Sequence, residues 1–404
     1  MIDPRHLELL TNLCNVPVAP YCEQHAIALC LDWKRQHRGV KMKRDRAGNI
    51  YLRYRNGPKV ETPLVVEAHL DHPGFIVLDS SGPELRCEFR GTVRPSSFEG
   101  ASAKFWVNDP TAVGSIAPVP ADGRWVASKI VRVTSTGDAM EVALEKVDEH
   151  LPPGTIGMWN LPDAAVHGDL FAARVCDDLA GVAAALCMLT DLIEQKVETD
   201  VTVLLSRAEE VGFAGVIAAC QANVIPRRAA IIGLETSKAY ANAVQGDGPV
   251  VRVGDRAGTF SPGLTHFVSQ CAGHIADEDS TFRWQRKLMD GGTCNSTAFV
   301  AFGFDATGIC LPLGNYHNMT APKDPGYQIA DRAGPHIGPE TINLNDFAAE
   351  VRLLVECAKR LPTYRKNFAV MRDRMLALHE KQKNLLFTTS DQETATVDVS
   401  EAAH

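Results

Sequence analysis

No stretch of the 404-residue chain reaches the roughly 18 consecutive apolar residues that a membrane-spanning helix needs. Positive charge is not in excess either: 41 Lys and Arg face 49 Asp and Glu, a formal net charge of −8. That balance argues against nucleic acid or any other polyanion as the main partner. The eleven cysteines never fall in a C-x-x-C pair, and Cys30, Cys187 and Cys220 sit inside apolar helical patterns. They read as reduced core thiols. The first residues, MIDPRHLELLTNL, lack the basic flank and long apolar core of a secretion signal. A cytoplasmic protein with neither a membrane nor a nucleic-acid partner is therefore expected. No internal repeat is visible.

What is present is an α/β pattern interrupted once. Residues 7–37 read as helical, and KMKRDRAGNIYLRYR then alternates like a hairpin turning at Ala47-Gly48-Asn49. The apolar run in PLVVEAHLD follows as a buried strand. Between residues 73 and 165 the text changes to short alternating strands broken by Gly, Pro, Ser and Asp, enough for a small β domain. Helices and buried strands then resume in alternation: the helix after Asp178, VTVLLS, the helix after Gly212, and AAIIGLE. The expected fold is α/β, with a mostly parallel central sheet flanked by helices and a small β domain inserted. Residues 1–72 and 166–362 would form the discontinuous main domain, 73–165 the insertion, and 363–404 a charged helix followed by a polar tail.

Five chelating side chains fall at the expected ends of buried strands or in the loops beyond them: His69, Asp177, Glu210, Glu235 and His317. In VVEAHLD the two-residue strand period puts His69 and Asp71 on one side, so His69 reads as a metal ligand and Asp71 as the group that orients its imidazole. In RVCDDLAGVAAAL an acidic pair precedes a helix, with Asp177 placed to bridge two cations and Asp178 to stabilise the turn. VTVLLSRAEEVGFAG delivers adjacent carboxylates to a strand end, where neighbouring side chains diverge. Glu210 is assigned as a ligand and Glu209 as general base. Glu235 ends AAIIGLE, and His317 lies in the loop of GICLPLGNYHNMT. Each motif alone has a plain structural reading: a strand-end ion pair, a helix cap, a solvated acid pair, a packing histidine. The set favours a site, because strands of open α/β sheets present their carboxyl ends to one crevice.

Two histidines and three carboxylates suit two divalent cations, expected to be zinc with cobalt or manganese as substitutes. Each cation would receive one histidine, one terminal carboxylate and half of Asp177. With a bridging hydroxide as nucleophile, four negative charges then balance four positive ones.

In this order, H-x-D, D-D, E-E, a further acid and a final histidine, the chain resembles the co-catalytic metallopeptidases, and most closely the M42 aminopeptidases. The β-rich insertion, the GTIG near its end, VQGDGPVVRVGD after Glu235 and MDGGTCNSTAF before His317 resemble landmarks of that family in the same order, over roughly residues 5–360. The resemblance implies a zinc-peptidase-like fold, removal of amino-terminal residues from short peptides, and a dimerisation role for the insertion. It also implies a homo-oligomer, from a dimer to a tetrahedral dodecamer with an interior chamber. The chain departs from the family pattern in four places. His72-Pro73 stands where Glu-Ile is common, Leu179 where Arg is, Cys294 where Asp is, and Glu235 where Asp is more usual. An amidase or deacylase acting on a non-peptide N-acyl compound, and a non-catalytic relative with an assembly role, remain as alternatives.

Overall fold

A computed structural model describes residues 2–58, 60–107, 123–136, 139–320 and 336–387. The polar tail expected beyond residue 387 lies outside the described residues. The chain divides into a unit ending at Pro362 and a second beginning at Thr363.

The amino-terminal helical stretch is two helices, α1 (Pro4–Cys14) and α2 (Gln24–Gln36). Pro17 and Pro20 lie in the linker between them, where neither can sit inside a helix without losing a backbone hydrogen bond. The hairpin β1 (Lys41–Arg44) and β2 (Ile50–Asn56) follows, then the wholly buried β3 (Leu64–His69). Strands β4 (Gly74–Asp79), β5 (Glu84–Arg90), β6 (Ser102–Val107), β7 (Arg124–Thr136), β8 (Ala139–Glu145) and β9 (Ile156–Trp159) close into a barrel. Its interior is aromatic, with Phe75 and Trp159 edge to face at 4.9 Å and Phe89, Phe98 and Phe105 around them. Gly157 makes this possible, since a Cβ there would stand 2.5 Å from the Phe105 ring. The barrel strands fall within the segment expected to be an inserted β domain.

Beyond it come β10 (Ala165–His167), β11 (Leu170–Ala173), α3 (Leu179–Glu194), β12 (Thr199–Ser206), α4 (Ala214–Gln221) and β13 (Ala230–Lys238). The remaining elements of this unit are β14 (Val250–Asp255), α5 (Pro262–Glu278), β15 (Gln285–Met289), α6 (Asn295–Ala301), β16 (Asp305–Leu313), β17 (Glu340–Asn343) and α7 (Leu344–Arg360). In the second unit, α8 spans Asn367–Phe387.

The main sheet has eight strands in the order β1-β2-β12-β3-β13-β16-β14-β15. Its middle, from β12 through β3 and β13 to β16, is parallel. The β14–β15 pair is also parallel, while β1–β2, β2–β12 and β16–β14 are antiparallel, so four of the seven pairings are parallel and the sheet as a whole is mixed. Apolar patterning reports that a strand is buried; the connections, which it does not report, set direction. Helix α3 packs on this sheet and is buried on nearly every side, as its run of alanines and leucines requires. A smaller sheet, β10-β11-β17, stands apart and leads into the loop that carries Asp177.

Candidate metal centre

Sheet register builds the first part of the site. Strand β13 lies alongside β3 with Ile232 opposite Val66 and Gly233 opposite Glu67. Continuing that register by two residues sets Glu235 beside His69, with both side chains on one face. The His69 Nε2 atom lies 4.0 Å from Glu235 Oε1 and 3.4 Å from Asp177 Oδ1. Glu235 is not at a strand end as expected: β13 continues to Lys238 because β16 pairs with it as far as Leu313.

Loops build the second part. Beyond β12 the chain turns through Ala208, in the left-handed region at φ 53°, and presents Glu209 and Glu210. Beyond β16, Asn315, His317 and Asn318 all take positive φ, a conformation unfavourable for residues with a Cβ. That turn brings His317 Nε2 to 3.2 Å from Glu210 Oε2 and 3.6 Å from Asp177 Oδ2. The two oxygens of Asp177 thus face different histidines.

The five chelating residues singled out from the sequence are therefore gathered around the Asp177 carboxylate. All but Glu210 are buried, and its side chain is only 5% exposed. His69, Asp177 and Glu210 offer donor atoms within 4.8 Å of one another. Asp177 Oδ1 and Glu210 Oε1 are buried without any hydrogen bond. Buried carboxylate oxygens left unpaired are costly unless a cation compensates them, so this nitrogen-and-oxygen donor set fits divalent metal. Burial pushes the Asp177 carboxyl well above its usual range, reinforced by Glu235. Burial also pushes up Glu209, which stands within electrostatic reach of His69 and Glu235. For Glu210 burial acts the same way, but the neighbouring histidines, His317 foremost with His69 and His72, together outweigh it and the carboxyl is lowered.

Several supports of the site are absent from the sequence reading. Asp71, expected to orient His69 through its carboxylate, does so mainly through its carbonyl oxygen, 3.1 Å from His69 Nδ1. Its carboxylate Oδ1 lies 3.4 Å from the same nitrogen and accepts from the Glu209 amide at 2.9 Å, while Oδ2 accepts from the Glu210 amide at 3.1 Å. Buried Glu23 braces the same turn, accepting from the Ala208 amide and from Arg207 Nε. Glu340 Oε2 accepts from the amides of Cys176 and Asp177. The carbonyl of Thr92, from the segment after β5, accepts from His317 Nδ1 at 2.7 Å. Asp178 makes no helix-capping bond; its carboxylate accepts from Thr236 Oγ1 at 2.8 Å. No local pattern announces these partners, since each is a distant side chain or carbonyl meeting one backbone group or ring.

A cavity of about 280 Å³ opens beside Glu235, lined among others by Arg94, Lys238, Tyr240, Arg252, Gly291 and Thr293. Gly291 leaves room for the Tyr240 hydroxyl, which any Cβ there would strike. Arg252 is buried, donates from Nη1 to Ser237 Oγ at 2.9 Å, and leaves Nε without a partner.

A family model described as M42 glutamyl aminopeptidase matches residues 48–324. Among solved structures, a TET aminopeptidase from a marine-sediment archaeon of the Thaumarchaeota aligns with a TM-score of 0.71 at 17% identity, covering 90% of this chain and 100% of that one. An aminopeptidase from the archaeon Desulfurococcus kamchatkensis aligns at 0.68 and 18%, covering 89% and 96%. The Pyrococcus horikoshii TET1 peptidase, described as assembling into a tetrahedron or a large octahedral shell, aligns at 0.66 and 17%, covering 87% and 99%. Among curated proteins no match was found.

Proposed function

The chain belongs to the M42 glutamyl aminopeptidase family and is a metallopeptidase, and we propose that it removes amino-terminal residues from short peptides at the Asp177 centre. The observation that carries this reading is the divided Asp177 carboxylate. One oxygen faces His69 with Glu235 nearby, and the other faces His317 with Glu210. We assign His69, Glu235 and Asp177 to one metal, and His317, Glu210 and Asp177 to the other, with zinc as the native ion and cobalt or manganese as substitutes. Two divalent cations held here supply Lewis-acid activation of a water molecule and of the scissile carbonyl.

The chain's own groups do the rest. Glu209, raised by burial, is suited to take a proton from the attacking water and pass it to the leaving amine. Asp71 holds the backbone of Glu209 and Glu210 together, fixing the spacing between base and ligand. The cavity beside Glu235 is placed for the side chain of the residue being released. Its cations Arg94, Lys238 and Arg252 favour a carboxylate there, in keeping with the family's description. Glu235 and Asp255 lie within electrostatic reach of the buried Arg252, but its Nε has no hydrogen-bond partner, which leaves donor capacity for a substrate carboxylate.

By likeness to the TET structures we propose a homo-oligomer, with residues 73–165 as the domain that joins subunits. The eleven free cysteines suit a reducing compartment such as the cytoplasm. No described helix is long and apolar enough to cross a membrane.

The test is a panel of aminoacyl amides beside N-acyl compounds, with and without added zinc, cobalt and manganese. Metal-dependent cleavage of free-amino substrates is expected, with Glu and Asp amides preferred over Leu and Lys. Hydrolysis of N-acyl compounds alone would instead favour the deacylase reading. Replacing Arg252 by Gln should reduce the acidic preference by about 10-fold.

A further inference from the structure

The tetrapeptide that ends β3 and leads to the barrel, His69 to His72, reaches both halves of the centre: His69 lies 4.0 Å from Glu235, and the His72 ring meets the His317 ring edge to face at 6.2 Å. His69 faces the Asp177 side chain, and Asp71 holds the Glu209-Glu210 turn. His72 has no part in the proposed chemistry, yet it is fully buried behind the site. Its Nδ1 lies 2.6 Å from the carbonyl oxygen of Asp177, and its Nε2 lies 3.1 Å from Asn318 Oδ1. The Asn318 amide is fixed in that orientation because its Nδ2 donates to the carbonyls of Arg174 at 2.9 Å and Gly338 at 3.2 Å. A peptide carbonyl and an amide oxygen can only accept, so Nδ1 donates to Asp177 and Nε2 donates to Asn318 Oδ1.

We propose that His72 is a positioning residue that pins the carbonyl of Asp177, so that the peptide bearing the shared carboxylate is clamped at both ends. Glu340 takes the N–H of Asp177 and His72 takes its C=O. The clamp fixes where the two carboxylate oxygens stand relative to His69 and His317, and so fixes the geometry offered to both metals. It requires a donor at this position: an ionised glutamate here would face one acceptor with another. The inference rests on the two-metal reading of the site, and its test separates the two.

The experiment is zinc titration of the full-length protein against a competing chelator, with visible absorption of the cobalt form as a second readout. The wild type should bind two equivalents per chain; fewer would remove the two-metal reading itself, and the clamp with it. His72→Phe keeps the ring but not the donor, and should weaken binding by about 10–100-fold and alter the cobalt spectrum. His72→Asn places an amide nitrogen near the position of Nδ1 and should return affinity to within about threefold of wild type. His72→Gln reaches the Nε2 position instead and should resemble the Phe variant. Wild-type affinity and spectrum in His72→Phe, or equal loss in the Asn and Gln variants, would overturn the clamp. If the Phe variant does not fold, the Asn and Gln variants decide the matter between them.

Discussion

The two halves of the metal centre are built differently. His69 and Glu235 stand on adjacent parallel strands, β3 and β13, in the interior of the main sheet, where the ladder itself sets their separation. Glu210 and His317 stand on turns, where left-handed residues at Ala208, Asn315, His317 and Asn318 make the geometry expensive. The turns are accordingly braced: Glu23 and Asp71 hold one, and the carbonyl of Thr92 meets the ring on the other. A strand-borne ligand needs little help once the sheet exists, whereas a loop-borne ligand is only as well placed as its supporting hydrogen bonds. Asp177 belongs to neither half and joins them.

The largest effect expected is chemical and leaves this contrast intact. Glu209→Gln should keep both metals and lower kcat by about 10²–10⁴-fold, read by steady-state kinetics beside metal analysis. Parental turnover would show that the base lies elsewhere. Next in size, His317→Ala should lose one metal and retain the strand-borne one, whereas His69→Ala should impair both, because Asp71, whose carboxylate lies against the His69 ring, also holds the amides of Glu209 and Glu210. Metal counted per chain by mass spectrometry distinguishes these outcomes, and an equal loss in both variants would erase the difference between strand and loop. A smaller effect should follow Asp71→Asn. The Glu209 and Glu210 amides then meet one acceptor and one donor, and affinity for the loop-borne metal should fall by about 10-fold or more while the strand-borne metal holds. Chelator titration that resolves two release steps would report it.

The same contrast explains what could be read from the residues alone. The Glu209-Glu210 pair stands out because VTVLLS, a buried strand, runs straight into it, and His69 stands out for the same reason. Glu235 was expected at a strand end and instead lies within β13, since the length of a strand depends on its partner β16 rather than on its own composition. The antiparallel flanks of the sheet were missed because alternation and apolar runs carry no direction. Glu23, Asn318 and Glu340 were invisible for a further reason. Each acts through one or two hydrogen bonds to groups more than a hundred residues away, and an acid or amide that will do so looks like any surface residue in the sequence. His72 was noticed as a departure from the family pattern, but its hold on the Asp177 carbonyl is visible only in three dimensions.

The most direct test is a crystal structure of the zinc-loaded protein with anomalous diffraction measured at the zinc edge. Two peaks about 3.5–4 Å apart are expected on either side of the Asp177 carboxylate, one contacting His69 and Glu235 and the other His317 and Glu210. A single peak, or zinc bound away from Asp177, would contradict the proposed centre.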